Sequence, residues 1–286
     1  MTKNSMVSPL KKVLVCAPKA AGWDSPKASN WKHLGFVHSS DFSVAQTQHD
    51  ELCRQLRVAG VEVVNLPACD SFSLDAVYAH DSSLSTDRGM VILNQGKQNR
   101  VPEGRAHRRF AENIGLAIAG EIKPPGTAEA GDMVWLDHKT LLIGRGFRTN
   151  SEGIAQMREL LPGVEVISAP LPYGVGPSAC LHLMSLISLL DEKTVLVDLP
   201  WLAVETAQLL ESRGLSFVEI DYSERDTLAC NVLALGKNRL LAIEENTKTN
   251  QKLNDAGFDV RTFPGSELGI NGGGGPTCLT RPLVRE

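Results

Sequence analysis

The feature that most constrains the fold of this chain is an internal repeat. Five segments share one order of elements: a short apolar strand, a polar loop, an amphipathic helix, a stop that contains glycine, and a second strand. The strands that begin these segments read KVLVCAP, GMVILNQ, TLLIGRG, TVLVDLP and RLLAIEE. Repetition of this kind predicts similar supersecondary units, each of which buries its apolar face against a neighbour.

The helix of each segment follows a period of 3.6 residues. In the first segment Leu52 and Leu56 share one face, and Gly60 supplies the stop. Gly214 and Gly257 hold the same place in the fourth and fifth segments. The closing strands are short and rich in β-branched residues, as in VEVV, VEVI and FDV.

Further short strands lie between the segments and read DSSLSTD, DMVWLD, LMSLISLL and NVLALG. Each repeat is therefore a ββαβ module. A doubly wound open sheet is the alternative, but the modules recur and no GxGxxG follows the first strand. We predict an α/β fold in which five modules form a closed ring, a five-bladed pseudo-symmetric propeller, and treat residues 1–286 as a single domain.

Charge and composition exclude some classes of function. The net charge is −4 and charged residues are 22%, which does not suggest a nucleic-acid surface. No apolar run approaches the roughly 20 residues of a membrane helix, and the start lacks the apolar core of a signal peptide. We expect a cytoplasmic protein with no nucleic-acid or membrane partner.

Cysteine usage also fits a reduced, cytoplasmic protein, because no two of the six cysteines are spaced as CxxC. Four of them, Cys16, Cys53, Cys180 and Cys230, stand among apolar residues and are expected to be small buried side chains. Cys69 reads as a loop residue without a role. The sixth is unusual because of the segment that precedes it.

That segment, INGGGGPTCLT, delivers Cys278 near the C-terminus after four consecutive glycines. Glycine loses the most backbone freedom on folding, so such a run is costly to order. It is either a loose tail or a tight turn that holds one thiol at a pocket. A phosphate-binding loop is disfavoured, because the Lys-Ser/Thr of a P-loop is missing and Pro276 removes a backbone donor.

Unusual polar residues precede or begin the strands between modules, and a ring would bring them together near its axis. They are Asp81, Glu129, Asp132, His182 and Cys278. Together they supply a nucleophile, a general acid/base, a carboxylate to orient that base and a second carboxylate for a cation. Singly, each has an ordinary interpretation as a turn, cap or core residue. Zinc binding is a further alternative, although one thiolate among hard carboxylates is an uncommon zinc shell.

These residues resemble the guanidino-group-modifying superfamily of arginine deiminases, amidinotransferases and dimethylarginine dimethylaminohydrolases. The resemblance covers nearly the whole chain and rests on EAGD, LHL, IGRGFRTN and the glycine-rich turn into Cys278. It implies a five-bladed α/β propeller without metal or other cofactor, which acts on a small guanidino substrate. A homodimer is the assembly that we keep as a candidate.

The resemblance also implies roles for individual residues. Cys278 would attack the guanidino carbon, and His182 would protonate the departing amine and then activate water. Glu129 and Asp81 would bind the guanidinium, while Arg148 would hold a substrate carboxylate. Two further residues, Asp132 and Gly275, are expected to be structural neighbours of the site.

The sequence departs from the superfamily pattern in three places. Ala130 replaces the first glycine of E-G-G-D, and Met184 stands where deiminases and amidinotransferases carry a second guanidinium-binding aspartate. The dimethylaminohydrolases also lack that aspartate, so we expect hydrolysis of methylated arginine to citrulline and an alkylamine. His80 fits none of the patterns. The alternatives are arginine deimination, amidino transfer, and a non-catalytic propeller like a ribosome anti-association factor.

The loop over residues 22–43 is long for an ordinary connection. We expect it to form a lid, with Leu34 or Phe36 over the substrate and Gly35 as the pivot.

Overall fold

The computed structural model describes residues 4–177 and 181–286. Cys180, predicted to be buried, lies outside the described residues. The strands are β1 Leu10–Val15, β2 Glu62–Asn65, β3 Ser83–Thr86, β4 Gly89–Ile92, β5 Ile118–Glu121, β6 Met133–Asp137, β7 Thr140–Arg145, β8 Glu165–Pro170, β9 Ile187–Leu189, β10 Thr194–Val197, β11 Ser216–Glu219, β12 Leu233–Gly236, β13 Arg239–Ile243, β14 Asp259–Phe263 and β15 Arg281–Arg285. The helices are α1 Trp31–Leu34, α2 Phe42–Val58, α3 Val101–Asn113, α4 Ser151–Leu160, α5 Val204–Ser212 and α6 Thr247–Asp255.

These strands form five three-stranded sheets, each of which is one module. Within a sheet the first strand pairs antiparallel with the middle strand, as β3 does with β4. The middle strand pairs parallel with the third strand, as β4 does with β5. A parallel pair requires a crossover connection, which the helix of the module supplies. The predicted five-bladed propeller of ββαβ modules is confirmed.

The first and last segments of the chain share one blade. Strand β15 pairs antiparallel with β1, and β2 completes the sheet in parallel with β1. The inner strand of this blade therefore comes from the C-terminus, whereas β3, β6, β9 and β12 are the inner strands of the others. The pairing closes the ring and brings the segment before β15 back to the axis.

The predicted glycine stops are confirmed as left-handed positions. Gly60, Gly214 and Gly257 have φ angles of 85°, 77° and 92°, and each follows the C-cap residue of a helix. Glycine adopts this region without the steric cost that a Cβ imposes. At its other end, α2 is capped by Asp41, whose side chain accepts a hydrogen bond from the backbone N–H of Val44 at 3.0 Å.

The apolar core lies between the sheets and the helices outside them. Strands β3, β4 and β12 are buried along their whole length, whereas the outer strands β2 and β11 are half-exposed. Cys16, Cys53 and Cys230 lie in the core, as predicted. In the described ranges, no helix combines the length and apolar character needed to cross a bilayer.

Candidate active site

The predicted polar residues come together at one end of the ring because each precedes an inner strand. Asp81 precedes β3, Glu129 precedes β6, His182 precedes β9 and Cys278 precedes β15. Asp81, His182 and Cys278 line a cavity of about 410 Å³. Arg148 and Leu34 line the same cavity. A volume of this size is typical of small-molecule sites.

Glu129 lies against His182 and is fully buried. Its Oε2 is 2.7 Å from Nε2 of His182 and 3.2 Å from the guanidinium of Arg148. Burial alone would raise the pKa of Glu129, but the hydrogen bond from His182 and the charges of His182 and Arg148 outweigh burial and lower it. The carboxylate therefore stays charged and orients the imidazole.

Asp81 is the second buried carboxylate of the site. Its Oδ2 accepts a hydrogen bond from Arg100 at 2.6 Å, and its Oδ1 accepts one from the backbone N–H of Gly131 at 3.1 Å. Burial opposes ionisation, but the charges of His182, Arg100 and His80 outweigh it and lower the pKa of Asp81. Two carboxylates thus remain ionised beside one imidazole.

Ligand atoms of Asp81, Glu129 and His182 lie within 4.8 Å of one another, which is close enough to hold a metal ion. Nε2 of His182 already faces Glu129 at 2.7 Å. A metal ion bound through that nitrogen would displace this hydrogen bond. Since both carboxylates are already ionised, the cluster also suits an organic cation.

The tight turn at EAGD explains why one of its two small residues must be glycine. A Cβ on Gly131 would lie 2.5 Å from Nδ1 of His182 and 2.9 Å from Asp81. Ala130 is buried but is accommodated in the apolar core. The alanine at this position therefore leaves the contacts between Asp81, His182 and the turn intact.

Asp132 fixes the backbone that carries His182. Its Oδ1 accepts the backbone N–H of Leu183 at 3.0 Å, and its Oδ2 accepts the hydroxyl of Thr149 at 2.6 Å. Burial raises the pKa of Asp132 to about 6, against the lowering effect of His182 and these hydrogen bonds. Asp132 lies behind the site, where a structural neighbour was expected.

Cys278 is half-buried and has a partner that sequence analysis missed. Nδ2 of Asn231 donates a hydrogen bond to Sγ of Cys278 at 3.0 Å. Oδ1 of Asn231 accepts the backbone N–H of Thr277 at 3.0 Å, so one amide fixes both the thiol and its backbone. Asn231 precedes β12 as Asp81 precedes β3, and this equivalent position in the fifth module was the available signal.

The glycine run forms a tight turn, and each glycine has a steric reason. A Cβ on Gly272 or Gly274 would overlap the ring of Tyr78 or its hydroxyl. Gly273 has a φ of 84°, and a Cβ on Gly275 would lie 2.7 Å from Oδ1 of Asn231. The turn is therefore packed between Tyr78 and Asn231, and the alternative of a loose tail is wrong.

The segment over residues 22–43 borders the cavity and is bonded to the glycine turn. Leu34 and Gly35 line the cavity, and the backbone N–H of Val37 donates to the carbonyl of Asn271 at 2.9 Å. Phe36, which we expected as an alternative cover for substrate, is instead buried with its ring 5.5 Å from that of Trp23. The Phe36 prediction was wrong because this side chain completes the core beneath the turn.

Four charged residues of the cavity wall were not predicted: Asp75, Lys97, Arg100 and Asp226. Nζ of Lys97 lies 2.7 Å from a carboxylate oxygen of Asp75 and 2.9 Å from the carbonyl of Leu34. Arg100 is buried and also bonds Glu103. Lys97 and Arg100 stand just before α3 of the second module. A search for polar residues ahead of the inner strands does not include these positions.

Met184 and His80 do not line the site cavity. Both are buried and line a separate cavity along the ring axis. His80 and Met184, the two positions that do not fit the superfamily pattern, therefore belong to the axial cavity and not to the cavity wall beside Cys278.

The sequence is similar to known proteins along most of its length. A family model described as arginine deiminase matches residues 73–207 and 200–285. An uncharacterised Bacillus subtilis (strain 168) protein, YkgA, is 26% identical over 278 residues, which are 96% of this chain and 92% of that protein. A Streptomyces coelicolor N(G),N(G)-dimethylarginine dimethylaminohydrolase is 27% identical over 226 residues, 77% of this chain and 78% of that enzyme.

Solved structures share the fold over the whole ring. The dimethylarginine dimethylaminohydrolase from Pseudomonas aeruginosa, as a cysteine-to-serine mutant complexed with citrulline, superposes with a TM-score of 0.76 at 25% identity. The alignment covers 96% of this chain and 99% of that one. The N-terminal domain of ArgZ, a cyanobacterial arginine dihydrolase bound to substrate, gives a TM-score of 0.81 at 20% identity, covering 96% and 98%.

Proposed function

This chain belongs to the arginine deiminase family, and we propose that it is a hydrolase that cleaves a C–N bond of a guanidino compound. The proposed substrate is a methylated arginine, and the products are citrulline and an alkylamine. The proposal rests on one observation: the thiol of Cys278, the imidazole of His182 and the ionised carboxylate of Asp81 line a single cavity, and a second ionised carboxylate, Glu129, contacts that imidazole. Similarity to the dimethylarginine dimethylaminohydrolases of Streptomyces coelicolor and Pseudomonas aeruginosa also supports the proposal.

The two carboxylates suit the guanidinium end of such a substrate. A guanidinium is planar and presents several N–H donors, and carboxylates accept them in charge-assisted hydrogen bonds. Asp81 and Glu129 bring carboxylate oxygens within 4.8 Å of a nitrogen of His182. Arg148 lines the cavity and supplies the guanidinium that would hold the carboxylate end.

In the proposed first step, Sγ of Cys278 attacks the guanidino carbon and forms a C–S bond. The C–N bond to the leaving amine breaks, and His182 transfers its proton to that amine. The product is a covalent thiouronium on Cys278. Glu129, 2.7 Å from Nε2 of His182, stabilises the imidazolium that serves as the acid.

In the second step His182, now neutral, takes a proton from water as the water attacks the thiouronium carbon. The C–S bond then breaks, the hydroxyl proton of the adduct passes to solvent as the C=O bond forms, citrulline leaves, and the thiolate is restored. Asn231 serves both steps as a positioning residue, because its amide N–H donates to Sγ at 3.0 Å and would stabilise the negative charge of a thiolate.

Arginine is the competing substrate, since an arginine dihydrolase shares the fold and arginine deiminase is the matching family model. It would lose ammonia where methylated arginine loses an alkylamine. A panel of arginine, monomethylarginine and dimethylarginine, with separate detection of citrulline, ammonia and alkylamine, distinguishes the two. Citrulline from arginine alone would reject the methylated substrate.

The covalent step is tested by Cys278→Ser, with Cys69→Ser as the control because Cys69 is a half-exposed thiol outside the cavity. We expect Cys278→Ser to lose about 10³-fold or more in kcat, whereas Cys69→Ser keeps activity. A haloacetamidine should alkylate Cys278 in preference to the other thiols. Normal turnover by Cys278→Ser would contradict the mechanism.

A further inference from the structure

The axis of the ring holds a second cavity, of about 30 Å³, which the proposed chemistry does not use. It is lined by residues from the inner strands β3, β6, β9, β12 and β15, and by Ser5 and Met6 of the N-terminal segment. His80, the neighbour of Asp81, is part of its wall. It therefore lies along the axis behind the floor of the active site.

Two buried arginines of β15 line this cavity. Arg281 and Arg285 are 3% and 2% exposed. NH1 of Arg281 donates to the carbonyl of Ser83 at 2.7 Å, and NH1 of Arg285 donates to the carbonyl of Ser8 at 2.6 Å. NH2 of Arg281 lies 2.7 Å from Nε2 of His80.

These contacts satisfy several N–H donors of the two guanidinium groups, but they supply no negative charge to balance them. Within the ranges 4–177 and 181–286, no carboxylate lies within 4.0 Å of either guanidinium, since neither takes part in an ion pair. The charge of Asp81 acts on Arg281, but that carboxylate is bound by Arg100 at 2.6 Å. A buried charge without a counter-charge is costly, so a compensating anion would be strongly stabilised.

The unpartnered polar atoms of the wall are all donors. Nε of Arg281, Nε of Arg285 and Nε1 of Trp135 are buried and have no hydrogen-bond partner among the described residues. Arginine and tryptophan side chains carry no acceptor, so the matching ligand is one that only accepts. Water also donates two hydrogens, and it carries no charge to offset the arginines.

Size selects among anions. About 30 Å³ accommodates one or two bodies the size of a water molecule. A halide ion is of that size, whereas phosphate or sulfate has five heavy atoms. We propose that the axial cavity binds a small inorganic anion of the halide class, held by Arg281, Arg285 and the indole N–H of Trp135.

Thermal unfolding of the full chain tests this proposal at constant ionic strength. Replacing sodium gluconate by sodium chloride or bromide should raise the Tm saturably, by on the order of 5 °C at a halide concentration 100 times the Kd. Arg285→Met should lose this dependence. Arg54→Met, which removes an exposed arginine paired with Glu51, should keep it.

A crystal of the unmodified protein soaked in sodium bromide gives the deciding measurement, whether or not Arg285→Met folds. We expect an anomalous difference peak in the axial cavity beside Arg281 and Arg285. A cavity that holds only water under these conditions would overturn the proposal. A halide dependence of the Tm that Arg285→Met retains would also count against this site.

Discussion

At the scale of single residues, Asn231 makes the contact that most directly prepares Cys278 for the proposed attack. We expect Asn231→Ala to lower kcat about 10–100-fold, because a hydrogen bond to a charged group contributes about 1.5–3 kcal/mol. The rate of alkylation of Cys278 at pH 7 should fall as well. Steady-state kinetics and timed alkylation with mass spectrometry measure the two effects.

The control for this variant is Asn254→Ala, since Asn254 is exposed on α6 and does not line the cavity. An Asn231→Ala protein with unchanged kcat and alkylation rate would show that the contact with Sγ has no part in the reaction.

Sequence analysis could identify four of the site residues because one structural position repeats. Asp81, Glu129, His182 and Cys278 each stand ahead of a strand that the pattern reveals. Asn231 occupies the same position and was missed because asparagine in TLACNVLAL is an ordinary turn residue. Arg100 could not be found this way, since it stands just before α3 of the same module and not ahead of an inner strand.

At the scale of elements, the turn that precedes β6 sets the position of His182. We expect Gly131→Ala to lower kcat about 100-fold, because the new Cβ would displace Nδ1 of His182. The same overpacking should lower the free energy of unfolding by about 1–3 kcal/mol. Urea denaturation and steady-state kinetics on the same preparation separate the two effects.

The neighbouring substitution Ala130→Gly is the matched control, because it changes the other small residue of the same turn. It should leave kcat nearly unchanged. Equal losses in kcat from both substitutions would indicate general damage to the turn rather than displacement of His182.

The same turn predicts a dependence of stability on pH. Burial raises the pKa of Asp132 from 3.8 to about 6, so between these values the folded protein binds a proton that the unfolded chain releases. The stabilising contribution is therefore present below about pH 4 and is lost as the pH rises through 6. We expect Asp132→Asn to gain stability relative to the unmodified protein between pH 5 and 7.5.

Urea midpoints of both proteins at these two pH values give the measurement. Asparagine can still accept the N–H of Leu183 with its side-chain oxygen, so the turn should remain intact. A difference between the two proteins that does not change with pH would contradict the raised pKa.

Periodicity in the sequence predicted the long helices and their glycine stops, but it did not predict how the loops between elements pack. The long helix α2 and the glycine stops follow from the spacing of apolar residues. The packing of Phe36 on Trp23 does not, because Phe36 also packs against the glycine turn, which comes from the opposite end of the chain.

At the scale of the whole molecule, ring closure by β15 predicts cooperative unfolding. Each blade contacts two neighbours, so no blade lies at a free end from which unfolding could start, as it does in an open repeat array. We expect one urea transition in which tryptophan fluorescence and far-UV circular dichroism coincide. Two separated transitions would contradict the single domain that we predict for residues 1–286.

The five positions ahead of the inner strands have a consequence for ancestry. They hold aspartate, glutamate, histidine, asparagine and cysteine, one in each module. A ring assembled from five copies of one short peptide would carry the same side chain at all five. Five different side chains at these positions therefore require modules that are encoded in tandem, so that each copy diverges independently.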